Sequence, residues 1–161
     1  MRFGTRAWIV CLLVGCGFAP ILHAAEVFRV GGPFSLPQGT DQHGKELAFS
    51  SKEYRTVIFD TPGDSGAAEP PKDPQWFQNN QALMVVNISG FSGFKRRIAR
   101  SRMESKPFRI LVMEDADLAA RFPRKEGTLT VIRVDEQGLI TAITFAAPGK
   151  ELQEAVAAPA K

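Results

Sequence analysis

Five apolar runs limit what this chain can fold into. TVIFD spans residues 56–60, LMVVNI 83–88, FRILVM 108–113, TLTVIRV 128–134 and LITAITF 139–145. Each is of strand length and rich in β-branched or aromatic side chains. The first three are almost continuously apolar, which suits strands covered on both faces. Helix-length stretches separate them, so they should lie parallel through right-handed crossovers. The last two are joined by Asp135, Glu136, Gln137 and Gly138 alone. That is a hairpin, with Gly138 at a turn position that tolerates positive φ. The expected architecture is α/β: a mixed sheet with parallel early strands, a C-terminal antiparallel hairpin and helices on both faces.

Local signals fill in the rest. Asp73 followed by Pro74 reads as an N-cap and first helical residue, opening a short helix with Trp76 and Phe77 as core packing. In SGFSGFKRRIARSRMES, Phe91, Phe94 and Ile98 recur at helical spacing and are assigned to the core. Lys95, Arg96, Arg97 and Arg100 take the other faces. The preceding GFSG reads as a turn capped by Ser89 or Ser92; backbone N–H groups offered to an anion are the competing reading. Asp115 caps a further helix, with Asp117 in its first turn, a better account of this acidic stretch than a Ca²⁺ loop. Pro148 and Gly149 start a last helix, followed by a small-residue tail at 158–161. Near the beginning, Gly31, Gly32, Pro33 and Pro37 break the chain into extended pieces, and residues 45–49 alternate like a strand.

The amino-terminal stretch has the pattern of an export signal. Arg2 and Arg6 precede AWIVCLLVGCGFAPIL, and LHAA at 22–25 offers small residues for cleavage after residue 24. Gly15, Gly17 and Pro20 argue against a retained spanning helix. LVGC resembles the bacterial lipobox, so lipidation at Cys16 is the alternative processing route. The expected organisation is a signal peptide at 1–24, one domain at 25–157 and a tail at 158–161, with a periplasmic location or a lipid anchor through Cys16.

The chain's two cysteines are Cys11 and Cys16. A processed domain would therefore carry no disulfide and no free thiol. The 20 Lys and Arg residues face 17 Asp and Glu; losing Arg2 and Arg6 leaves 18 against 17. That balance gives no global case for nucleic acid. With His43 as the one histidine beyond the leader, zinc is disfavoured too.

Three segments carry a resemblance to the thioredoxin-like superfamily, in its peroxiredoxin and cytochrome-maturation branch. FSLPQGTDQHGKELAFS resembles that branch's apolar-Leu-Pro start and D-x-x-G-K turn. TVIFD resembles the strand feeding the active loop, and GTLTVIRVDEQGLI its G-x-P-T, strand, Asp, Gly turn and strand. NISGFSGFKRRIARSRMESKPFRILV is similar to an I-S-G-x-x-x-x-I segment in a group of exported, cysteine-less bacterial members. Some of those are labelled flavin-containing dehydrogenases, but no G-x-G-x-x-G follows a strand here.

The departures from the family pattern bear on function. Redox thioredoxins hold a C-x-x-C whose first thiolate is stabilised by a helix N-terminus. Asp64, Ser65, Gly66 and Ala67 stand at the corresponding positions, and Pro70 and Pro71 interrupt the following helix. The facing cis-proline corresponds to Leu129, expected to be trans because a non-proline cis bond costs about 3 kcal/mol. GDSG at 63–66 matches the heart of the trypsin-like serine protease signature, but His43 is the single candidate base for Ser65 beyond the leader, two β-barrels do not fit in this length and the alternating pattern is wrong, so a flexible turn is the better reading.

The resemblance implies a redox-inactive binding or scaffold module without cofactor or metal, acting on an envelope protein or peptide. Its expected contact surface comprises Asp64, Ser65, Glu69 and Leu129. The basic residues Lys95, Arg96, Arg97 and Arg100 form a second candidate surface, for an acidic partner or an anionic membrane, and nucleic acid is not expected. A solvated helix face is the competing account of those cations. A non-thiol enzyme, flavin-associated or using Asp64 as an acid/base, and an auxiliary factor of envelope redox or cofactor assembly are the alternatives. Mass spectrometry of the exported protein should find an amino terminus at residue 25; a diacylglyceryl group on Cys16 would show the other route.

Overall fold

The computed structural model describes residues 26–63 and 71–157. The leader with Cys16, residues 64–70 and the tail at 158–161 lie outside the described residues. Along the chain run β1 (Gly39–Asp41), β2 (Glu46–Leu47), β3 (Thr56–Asp60), α1 (Pro74–Asn79), β4 (Ala82–Asn87) and α2 (Gly93–Glu104). β5 (Ile110–Met113), α3 (Ala116–Ala120), β6 (Leu129–Val134), β7 (Ile140–Ala146) and α4 (Lys150–Ala157) complete the order. Among the described residues no helix is long and apolar enough to cross a membrane.

One sheet holds the strands in the order β2-β1-β5-β4-β3-β6-β7. β3, β4 and β5 are parallel, as the apolar runs and crossovers predict. β6 runs antiparallel to β3 on its other side, and β7 closes the hairpin. Gly138 has φ +80° in the connecting turn, where Asp135 accepts from the Leu139 N–H at 2.8 Å.

Strand side chains alternate between two separate cores. Val57, Phe59, Leu83, Val85, Leu111 and Met113 face the first; Ile58, Met84, Val86, Ile110 and Val112 face the second. α3 and the opening segment cover the first, where Phe122 stacks on Phe59 at 3.9 Å between ring centroids and meets Phe28 edge-on. α1, α2 and α4 cover the second through Phe77, Met103, Leu152 and Val156. Arg133 on β6 donates to the Ala155 and Val156 carbonyls at 2.6 Å, tying down the C-terminal end of α4. Asp73 and Asp115 cap α1 and α3 as expected.

Three local expectations are corrected. The strand read over 45–49 contracts to Glu46–Leu47, which makes a small hairpin with β1, itself antiparallel to β5. The physical reason is side-chain pairing. Buried Gln42 donates from Nε2 to the Phe108 carbonyl at 2.7 Å and accepts from the Ile110 N–H at 2.8 Å. Asp41, also buried, holds the turn by accepting from the His43 and Lys45 N–H groups at 3.0 and 2.9 Å.

The second correction concerns α2. Phe94 is 70 % exposed and Ile98 39 %, whereas Met103 is buried and Phe91 and Ala99 pack against the second core. The α2 stripe facing the sheet is therefore rotated from the expected one. The third concerns its cap: Ser92 occupies the N-cap position without a side-chain hydrogen bond, and Ser89 donates its N–H to Asn87.

Asp41 gives a measurable consequence. Burial opposes its charge, but the Lys45 and His43 N–H groups and the Arg109 guanidinium at 3.3 Å outweigh it and hold the carboxyl below its ordinary value. A depressed folded pKa means stability that is complete above the unfolded value of about 3.9 and lost as pH falls through the folded one. Asp41→Asn should cost about 1–3 kcal/mol in urea denaturation at pH 7. It should also flatten the loss of stability below pH about 4; an unchanged acid slope would contradict this role for Asp41.

Candidate functional site

Parallel strands ending together make a shared rim. The carboxyl ends of β3, β4 and β5 lie side by side, and antiparallel β6 begins there, with Phe59 opposite Thr130. α1 and α2 leave for one face and α3 crosses the other, so the sheet's coverage divides at this rim. Crevices at such switch points are common binding sites in open α/β sheets.

Asn87, the last residue of β4, organises the rim. Its buried side chain donates from Nδ2 to the Thr61 hydroxyl at 3.4 Å and accepts the Ser89 N–H on Oδ1 at 3.0 Å. One amide thus links the loop after β3 to the loop after β4. Two further ties close the neighbourhood: the Ile88 N–H donates to the Met113 carbonyl at 2.9 Å, and the Thr130 hydroxyl to the Pro123 carbonyl at 2.6 Å. Above these lies a cavity of about 260 Å³, with Thr61, Asn87 and Ser89 as polar wall, Phe91 and Ala119 as apolar wall, and Arg124 beside it. It can take a short side chain or a bend of extended peptide; among the described residues no acid/base pair lines it.

The expected contact residues separate in space. Asp64, Ser65 and Glu69 lie outside the described residues. Leu129 is 1 % exposed and packs into the second core, so its side chain is no contact residue, which corrects that expectation. It follows a trans peptide bond, since the described residues contain no cis peptide. Among the basic residues, Arg100 donates to Glu114 at 2.8 Å and Arg96 stands 3.8 Å from the same carboxylate, while Lys95 and Arg97 are exposed. The sequence reading missed Asn87, Thr61 and the Ala119 wall. An asparagine ending a wholly apolar run was the available signal.

A larger cavity of about 490 Å³ lies at the opposite end of the sheet, beside Gln81, Ala82 and Leu83. Phe77 stacked on Phe108 at 4.0 Å forms one wall, with Tyr54, Glu53 and Arg109 as polar groups. Burial, then the Glu53 hydrogen bond and charge, push the Tyr54 hydroxyl up to about 12 against the pull of Arg109. Arg109 itself is engaged by Asp41 and by the Glu46 carbonyl at 2.9 Å. These groups brace the β1–β5 edge. Among the described residues, no group of three or more His, Cys, Asp or Glu side chains is placed to hold a metal ion.

This architecture is the thioredoxin-like fold. A thio-disulfide isomerase from Thermus thermophilus superimposes with TM-score 0.53 at 21 % identity, covering 81 % of this chain and 99 % of that one. The thioredoxin domain of a thiol-disulfide oxidoreductase from Bacteroides vulgatus gives 0.50 at 14 %, covering 80 % and 96 %. A peroxidoxin from Mycobacterium tuberculosis gives 0.50 at 14 %, covering 81 % and 95 %. Identities this low establish the fold alone. No protein-family model and no curated protein matches the chain.

The Asn87 brace is testable without a ligand. Asn87→Ala leaves the half-buried Ser89 N–H without its side-chain acceptor and should lower stability by about 1–3 kcal/mol in urea, with the slope unchanged. Ser89→Ala keeps that N–H and should change stability by less than about 0.5 kcal/mol. Equal losses in the two variants would refute the brace.

Proposed function

We propose that this chain is an exported, thiol-free thioredoxin-like binding domain that holds an extended segment of an envelope protein at the carboxyl rim of its sheet. The observation carrying this reading is the strand-to-loop junction after β3. In redox thioredoxins that junction supplies two cysteines, whereas here it continues Thr61, Pro62, Gly63 and no cysteine follows residue 16. Without sulfur, the rim has contact chemistry to offer in place of electron transfer. The Asn87 brace and the cavity beside α3 support a pre-formed recess, which limits the ordering cost of binding. Asp64, Ser65 and Glu69 belong to the same loop and supply polar and acidic contacts in this reading.

Two measurements test it. The protein should not accelerate dithiothreitol-driven insulin precipitation above a no-protein control. A photo-crosslinking residue at Ala116 or Ala120, on the α3 side of the recess, should trap one envelope protein in intact cells. The same residue at exposed Glu154 on α4 should not, and Ser89→Trp, which fills the recess, should abolish the adduct. Insulin turnover, or adducts indifferent to position and to Ser89→Trp, would overturn the proposal.

A further inference from the structure

The exposed face of α2 has an organisation that a solvated helix does not need. At about 100° per residue, Phe94, Ile98, Ser101 and Ser105 fall along the outward midline, opposite buried Met103. Arg97 flanks that line on one side, and Lys95 and Arg102 on the other; all three are exposed. None of the three forms an ion pair among the described residues, in contrast to Arg96 and Arg100, which Glu114 engages. The helix has one acid, Glu104, in its last turn. Phe94 is also the most exposed of the large apolar side chains in the described domain.

Leaving a phenyl ring in water forfeits the stabilisation it would gain by burial, yet α2 points Phe94 outward although a core lies beneath the same helix. A midline that is apolar at Phe94 and Ile98, with cations on both flanks, matches a planar anionic surface. The Phe94 ring and the Ile98 side chain enter the acyl boundary while the cations on both flanks reach headgroup phosphates. An acidic protein would satisfy the charges but has no need for them on both sides of an exposed ring. We infer that the outer face of α2 docks on an anionic lipid bilayer, with Phe94 and Ile98 inserted and Lys95, Arg97 and Arg102 in the headgroup layer. The surface is distinct from the recess of the proposed function. Phe91, which lines that recess, precedes α2, so docking would present the recess close to the membrane plane.

The test uses the full chain and a readout resolved by residue, so that the apolar leader contributes equally throughout. Amide signals would be recorded with phosphatidylcholine bicelles bearing a gadolinium-chelate lipid, with or without phosphatidylglycerol. With phosphatidylglycerol, amides of residues 93–102 should broaden most, while those around exposed Val30 and Leu139 do not. The pattern should vanish in phosphatidylcholine alone and at high salt. Arg97→Glu with Arg102→Glu should weaken the phosphatidylglycerol-dependent broadening at least about 25-fold, since each cation near the surface contributes about fivefold. Phe94→Ser with Ile98→Ser should weaken it about tenfold or more, with the remaining spectrum unchanged. Broadening that is uniform, centred elsewhere or insensitive to both variants would overturn the inference. So would α2 shifts that appear with polyglutamate but not with phosphatidylglycerol, an outcome that would assign the face to an acidic protein.

Discussion

Burial of both faces of β3, β4 and β5 is the constraint on which the remaining structure depends. Strands that are apolar apart from Thr56, Asp60 and Asn87 at their ends cannot expose either face to water, so each face requires a covering layer. α1, α2 and α4 supply one and α3 with the Phe28–Phe34 segment the other. The stacking of Phe59 on Phe122 locks the second of these layers to β3. No bond between sulfur atoms takes part within the described domain, whose sequence holds no cysteine. The frame is held by apolar packing and backbone ladders, with side-chain hydrogen bonds from Asp41, Gln42, Asn87 and Arg133 fastening its edges.

The same constraint places polar chemistry at the ends of the sheet. At the carboxyl rim Asn87 ends an otherwise apolar strand and joins two loops. At the other end Arg109, Asp41 and Gln42 fasten the β1 edge. The two ends differ in what they leave available. Arg109 spends its guanidinium on Asp41 and the Glu46 carbonyl, so that end reads as structural. At the carboxyl rim one amide satisfies the loops and leaves a recess beside α3.

Much of the frame was legible because strand periodicity and punctuation are local. TVIFD, FRILVM and the hairpin around Gly138 appear where their residues place them, and Asp73 and Asp115 cap the expected helices. What escaped depended on partners distant in sequence. Gln42 replaces a strand partner only because Phe108 and Ile110 lie beside it. The spacing of Phe91, Phe94 and Ile98 suggested one buried stripe. Glu114, from the end of another strand, draws Arg96 and Arg100 to one flank of α2, and Met103 with Ala99 turns inward instead. Leu129 corresponds to the facing proline in the resemblance of the 127–140 segment, but the alternation of β6 sends its side chain into the second core beside Val131.

Native-state hydrogen exchange with and without reductant tests most directly whether two-sided burial, independent of sulfur, holds this frame. Amides of Val57, Ile58, Phe59, Val85 and Val131 should exchange only through global unfolding and form the slowest set. Reductant should leave their rates unchanged. Fast exchange in β3 or β4, or protection that collapses when thiols are reduced, would contradict it.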